Sequence, residues 1–251
     1  MRISRFNYFF TATIIIFCLA GLEVFGFLKL HRRATSTTAT TAQSSSPAVT
    51  TTAPTTATTA PAAKIPASYS LKVPFIVQAP FANWDARHED ACEEASLITV
   101  HYYLTNTKVA NLNAGDADIT ALINWENAHG YGPSITVEQL SKIAGDFYGL
   151  NSGRVIVNPT IAEMKAEIAA GRPIIVPAAG KLLDNPNFKN GGPNYHMLVI
   201  RSYDTNIFIT SDPGTRNGDG YTYPYTTLMN AIHDWDANNI LNGQRAVLVF
   251  N

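Results

Sequence analysis

Disulfides are the first thing this chain lacks. Its 251 residues hold two cysteines, Cys18 and Cys92. Only Cys92 lies beyond the apolar N-terminal run, so no second thiol there can pair with it. Charge is scarce too, at 15% of residues, and is missing altogether between Ala34 and Ala63. A basic surplus is also absent. From Lys64 onward 13 Lys and Arg face 18 Asp and Glu, about −5 in balance, which lacks the footprint of a nucleic-acid binder. No Cys/His cluster has zinc spacing and no EF-hand pattern occurs, so no metal or other cofactor is expected. Internal repeats are missing as well, which excludes a solenoid.

What is present divides the chain in three. Arg2 and Arg5 precede an uncharged apolar run from Phe6 to Leu22, which resumes after Glu23 and closes at Lys29, Arg32 and Arg33. Some 20 apolar residues match a bilayer core of about 30 Å and exceed a signal-peptide core of about 7–15 residues. Residues 1–33 are therefore expected to be an uncleaved signal anchor, with a cleaved signal as the alternative. Residues 34–63, almost wholly Thr, Ala, Ser and Pro, bury too little apolar surface to offset ordering entropy. They read as a disordered tether of the kind found on surface proteins. Residues 64–251 are of ordinary globular composition and length for one domain. The expected location is the membrane, single-pass, with this domain outside the cytoplasm.

Within the domain, an extended segment is expected at Val73–Gln78. Helices are expected at Ala91–Leu104, Asp118–His129, Thr136–Phe147 and Thr160–Ala170, the last two opened by the capping boxes Thr136-x-x-Gln139 and Thr160-x-x-Glu163. Strand-like runs follow at Ile174–Val176, Met197–Tyr203, Ile207–Ser211 and Ala246–Phe250, with a short helix around Thr226–Trp235. Helices first and antiparallel strands second is an α+β pattern.

Asp90 and Glu93 form a further capping-box pattern, which would place Cys92 at the second position of its helix. A thiol at a helix N-terminus is a candidate nucleophile, although Asp90, Glu93 and Glu94 bring negative charge beside it. It therefore needs a cationic partner. His196, where the turn-rich Asn190–Asn194 enters the run Tyr195–Ile200, is the candidate base. If Asp204–Asn206 is a three-residue hairpin loop joining Tyr203 to Ile207, Leu198 opposes Asp212. His196 and Asp212 then share a face as diagonal neighbours about 7–8 Å apart, and a one-residue slip would separate them. His196 would take the thiol proton and Asp212 would orient the ring. The Cys92 backbone N–H and the Gln78 side-chain amide would supply the oxyanion donors. The other histidines of the domain, His88, His101, His129 and His233, have no spacing to Cys92 that suggests a role.

Val73-Pro74-Phe75-x-x-Gln78, Asp90-Ala91-Cys92-Glu93-Glu94-Ala95-Ser96, Tyr195-His196-Met197 and Ser211-Asp212-Pro213-Gly214 together resemble the papain-like cysteine peptidases of the double-glycine (bacteriocin-processing) peptidase-like group. The resemblance runs from about Leu71 to Phe250. It implies a helical half packed on an antiparallel sheet, with the Gln-Cys-His-Asp site between them. Many relatives have Cys-Gly-Pro where this chain has Cys92-Glu93-Glu94, and carry their glutamine closer to the cysteine. The transporter domains of leader-processing relatives are absent. The expected activity is hydrolysis of peptide or isopeptide bonds by a monomeric, membrane-tethered peptidase. A cell-wall peptide amidase or transpeptidase with the same thiol chemistry, or a non-catalytic surface binding module, are the alternatives.

Overall fold

The computed structural model describes residues 64–251; the expected anchor and tether lie outside them. Among the described residues no helix is long and apolar enough to cross a membrane. Seven strands form one antiparallel sheet: β1 (Tyr69–Ser70), β2 (Gly153–Val157), β3 (Ile174–Ala179), β4 (Tyr195–Tyr203), β5 (Ile207–Ser211), β6 (Asp219–Pro224) and β7 (Ala246–Phe250). Their order is β2-β7-β3-β4-β5-β6, and β1 pairs with β4. Five α-helices accompany it: α1 (Cys92–Leu104), α2 (Leu112–Ala128), α3 (Val137–Tyr148), α4 (Ile161–Ala169) and α5 (Tyr225–Ala231), of which α2 packs on α1 and α3. The expected α+β class is what the chain adopts.

All of β3 and β7 is buried, as is all of β4 except half-buried Arg201. These strands are apolar runs without alternation because helices cover them: α1 packs on β3 and β4, α3 on β2 and β7, α4 on β1, β3 and β4, and α5 on β3, β5 and β6. The two expected capping boxes at Thr136 and Thr160 are both formed, with each hydroxyl accepting from the third residue on.

Other expectations need correction. No side chain caps α1: its N-cap is Ala91, so Cys92 is the first helical residue and the Asp90–Glu93 box is absent. Glu93 turns inward instead. Every residue from Cys92 to Val100 is buried, so α1 is a central helix rather than one with a single apolar stripe. Helix α2 begins at Leu112 and not Asp118, because the Asn111 side chain accepts from the Ala114 N–H and starts it a turn and a half earlier. Strand β2 interrupts the helical half, and α5 stops at Ala231.

The hairpin β4–β5 reaches the expected register by a different route. Tyr203 pairs with Phe208, one residue beyond Ile207, and a bulge between Ile200 and Ser202 restores Ile200↔Thr210 and Val199↔Ser211. The surplus residue is Arg201, whose guanidinium is held by the Val73 carbonyl at 3.3 Å and Asp219 Oδ1 at 2.7 Å. The pairing therefore still directs His196 and Asp212 toward one another.

Candidate active site

His196 opens β4 one residue from its start and is 1% exposed. Its Nε2 lies 2.8 Å from Asp212 Oδ1, just past the end of β5. A carboxylate only accepts, so Nε2 carries the proton and Nδ1 has the free lone pair of a base. The ring is clamped elsewhere too. Phe188 meets it edge-to-face at 5.2 Å, and a Cβ added to Gly214 would stand 2.8 Å from its Cε1. Glycine at 214 is thus a requirement of the ring's position.

Asp212 is fully buried and every contact it makes is with a donor. Oδ1 accepts from His196 and from the Gly214 N–H at 3.0 Å; Oδ2 accepts from the Tyr223 hydroxyl at 2.6 Å and Asn185 Nδ2 at 3.3 Å. Burial pushes this carboxyl up, but His196 and the donated hydrogen bonds outweigh it and hold the group below its usual range. Asn185 and Tyr223 were missed from sequence. Tyr223 is one of two tyrosines in β6, and Asn185 sits among turn residues, with nothing local to mark either.

The opposite wall is the first turn of α1. Cys92 Sγ donates to Glu93 Oε2 at 2.9 Å, and α1 packs on β4, the strand that carries His196. Among the described residues no hydrogen bond joins Cys92 to His196. Burial drives the thiol well above its ordinary value, with Glu93 and Glu94 adding to the effect. Burial likewise drives Glu93 and Glu94 well upward, and a neighbouring carboxyl adds to the effect on each. Burial thus disfavours ionising either Cys92 or Glu93, on which the thiol rests. Sequence reading placed negative charge here; burial works against it.

Behind them Glu94 meets Glu126 of α2, which burial lifts to about 7. Glu94 Oε2 and Glu126 Oε1 have no donor if both are ionised. One proton shared between them satisfies both.

Gln78 departs from the role expected of it. It lines the cavity, yet its amide nitrogen donates to the His88 carbonyl at 2.9 Å and the Glu89 carbonyl at 3.1 Å, spending both hydrogens. Its backbone N–H reaches the Pro213 carbonyl at 3.0 Å. In this state Gln78 braces the loop into α1 against the Asp212 turn and has no hydrogen left for an oxyanion. That loop is braced again by buried His88, which bridges Asp85 and Asp116 at 2.8 Å each.

Cys92 and His196 face one cavity of about 620 Å³, with Trp84 and Phe188 on its walls and Glu89 and Asp90 among its acidic groups. A second depression of about 550 Å³, lined by Phe75, Phe81 and Leu112, shares Trp84 and Arg216 with it. Residues 70–240 match the profile of the Peptidase C39-like family. The chain belongs to that family. A crystal structure assigned as a C39-like peptidase from Bacillus anthracis is similar at 19% identity and a TM-score of 0.49, over 73% of this chain and 98% of that one. No curated protein matches. The C39-like domain is α+β and papain-like, and its match spans both walls of the cavity.

Proposed function

We propose that this C39-like protein is a cysteine peptidase that hydrolyses peptide or isopeptide bonds, with Cys92 as nucleophile, His196 as base and Asp212 as the group orienting it. The observation that carries the reading is the buried His196–Asp212 pair at 2.8 Å, opening on the same cavity as the family's only thiol candidate in the domain. The sequence of residues 1–63 supports a membrane-anchored enzyme working outside the cytoplasm.

The steps follow from the groups present. Cys92 turns from Glu93, and its S–H proton passes to Nδ1 of His196, leaving a thiolate and an imidazolium held by Asp212. The sulfur attacks the carbonyl carbon, and the oxygen of the tetrahedral intermediate faces the Cys92 backbone N–H at the open end of α1. His196 returns the proton to the leaving nitrogen, the C–N bond breaks and a thioester remains. Water, deprotonated by His196, then releases the acid and the thiol. Glu89 and Asp90 face Lys189 and Arg216 across the cavity lining, so the site offers both signs of charge to a peptide.

The test is a screen of peptides and cell-wall peptide fragments with the full-length protein. Cys92→Ala and His196→Ala should each lose turnover by about 10³-fold or more. Mass spectrometry should find an acyl adduct on Cys92. Turnover that survives Cys92→Ala would sink the proposal.

A further inference from the structure

The cavity holds a buried acid for which the catalytic scheme has no step. Glu93 is 1% exposed, lies within 2.9 Å of the reacting sulfur, and is steadied by the Ile135 N–H, 3.4 Å from its other oxygen. The thiol's hydrogen is directed to Glu93 Oε2 and away from the free Nδ1 of His196. We propose that Glu93 is a positioning residue that latches the Cys92 thiol in a resting rotamer, from which a rotation of the cysteine side chain must release it before His196 can take its proton. The inference rests on the reading of Cys92 as nucleophile.

The surroundings fit a neutral acid. Facing Glu93 are Glu94 on its own helix, Glu126 on α2, Tyr195 on β4 and Asp234 behind that tyrosine. No lysine or arginine appears among these groups; what favours an ionised Glu93 is the hydrogen bonds it accepts, from the Cys92 S–H and the Ile135 N–H among others, and burial with the Glu94 carboxyl outweighs them. A neutral carboxyl can accept S–H at its carbonyl oxygen and keep its own proton throughout the cycle. A latched thiol also stays protonated, and it is the thiolate that oxidises. That protection matters for a lone cysteine in an oxidising compartment.

The experiment is the iodoacetamide alkylation rate of Cys92 against pH, in the full chain with Cys18→Ser so that one thiol remains. Glu93→Ala should move the profile to lower pH and raise the rate at pH 7 by about tenfold or more, one pKa unit being tenfold. Glu93→Gln, which keeps a neutral acceptor at the same place, should retain the wild-type profile. Infrared difference spectra of wild type against Glu93→Gln at pH 7 should show a protonated carboxyl lost in the variant, a readout that needs only that folded variant. An alanine variant with the wild-type profile, a glutamine variant shifted as far as alanine, or no protonated carboxyl in the spectrum would each overturn the latch. None of these readings needs a substrate, so a protein without peptidase activity would fail the function test and leave this one intact.

Discussion

The two walls of the cavity are built to opposite standards. On the sheet side, Asp212 receives four hydrogen bonds and His196 is fixed by a carboxylate, an aromatic edge and the missing side chain of Gly214. On the helix side, Gln78 Oε1 at the cavity and Ser96 Oγ and His101 Nδ1 farther along α1 are buried without a partner, while Glu94 and Glu126 depend on a shared proton. Unpaired buried polar groups are costly, so their concentration on that side marks where stability has been yielded. The imidazole of His196, proposed as the base, is held in one geometry. The Cys92 thiol, proposed as the nucleophile, sits in the less satisfied turn, which suits a thiol that would have to change partners.

Breaking the rigid wall should have the largest effect. Asp212→Ala frees the imidazole and strands the Tyr223, Asn185 and Gly214 donors. Turnover should fall by about 10²–10⁴-fold, and thermal denaturation should show a lower Tm. Asparagine should rescue poorly, because its NH₂ would meet a donor on whichever side it lay. Gly214→Ala is subtler. Its methyl group would push the ring of His196, and a displacement of about 1 Å can cost roughly 10²-fold in rate. Turnover should drop by that order while Tm changes less than for Asp212→Ala; an unchanged rate would show the ring wall to be as adaptable as the helix wall.

The smallest effect belongs to the loose wall and is read by pH. Glu126 has a folded pKa raised to about 7 from an ordinary 4.5. The unfolded chain therefore releases its proton first as pH rises. The stabilisation is complete below about 4.5 and is lost as pH climbs through about 7. Asp212, whose carboxyl is held low, acts in the other sense and stabilises until pH falls through its depressed value. The Tm should decline between pH 5 and 8, and Glu126→Gln should flatten that decline. A wild-type Tm independent of pH over this range would mean that Glu94 and Glu126 do not share a proton.

How far these features could be read in advance follows from their range along the chain. The boxes at Thr136 and Thr160 were legible because their partners are three residues apart. The α+β class and the long apolar strands were legible from runs such as Met197–Tyr203. The register linking His196 to Asp212 emerged from two departures that cancel: the hairpin closes one residue later than expected, and the bulge at Arg201 takes that residue back. Bulges have no sequence signature of their own, since Arg201 is drawn out by Val73 and Asp219, distant in the chain. The inward turn of Glu93 and Glu94 was hidden for a related reason. Two glutamates in a first turn ordinarily complement the helix dipole at the surface, and only the burial of α1 on all sides makes them an internal acid cluster. Strand β2 was missed because its short run Val155–Val157 gains strand character only by pairing with β7.

That pairing has a kinetic consequence. Strand β7 lies between β2 and β3 in the sheet yet follows every other element in sequence. The pairing Gly153↔Phe250 closes a loop that holds α4, strands β3 to β6 and α5. Such distant pairings must be assembled before their contacts repay the lost chain entropy, which slows folding. Until β7 docks, β3 has an open edge and α3 rests on an incomplete sheet. The wall carrying the histidine and the helix carrying the thiol should therefore mature in one late cooperative step, so that a half-folded intermediate carries no assembled peptidase.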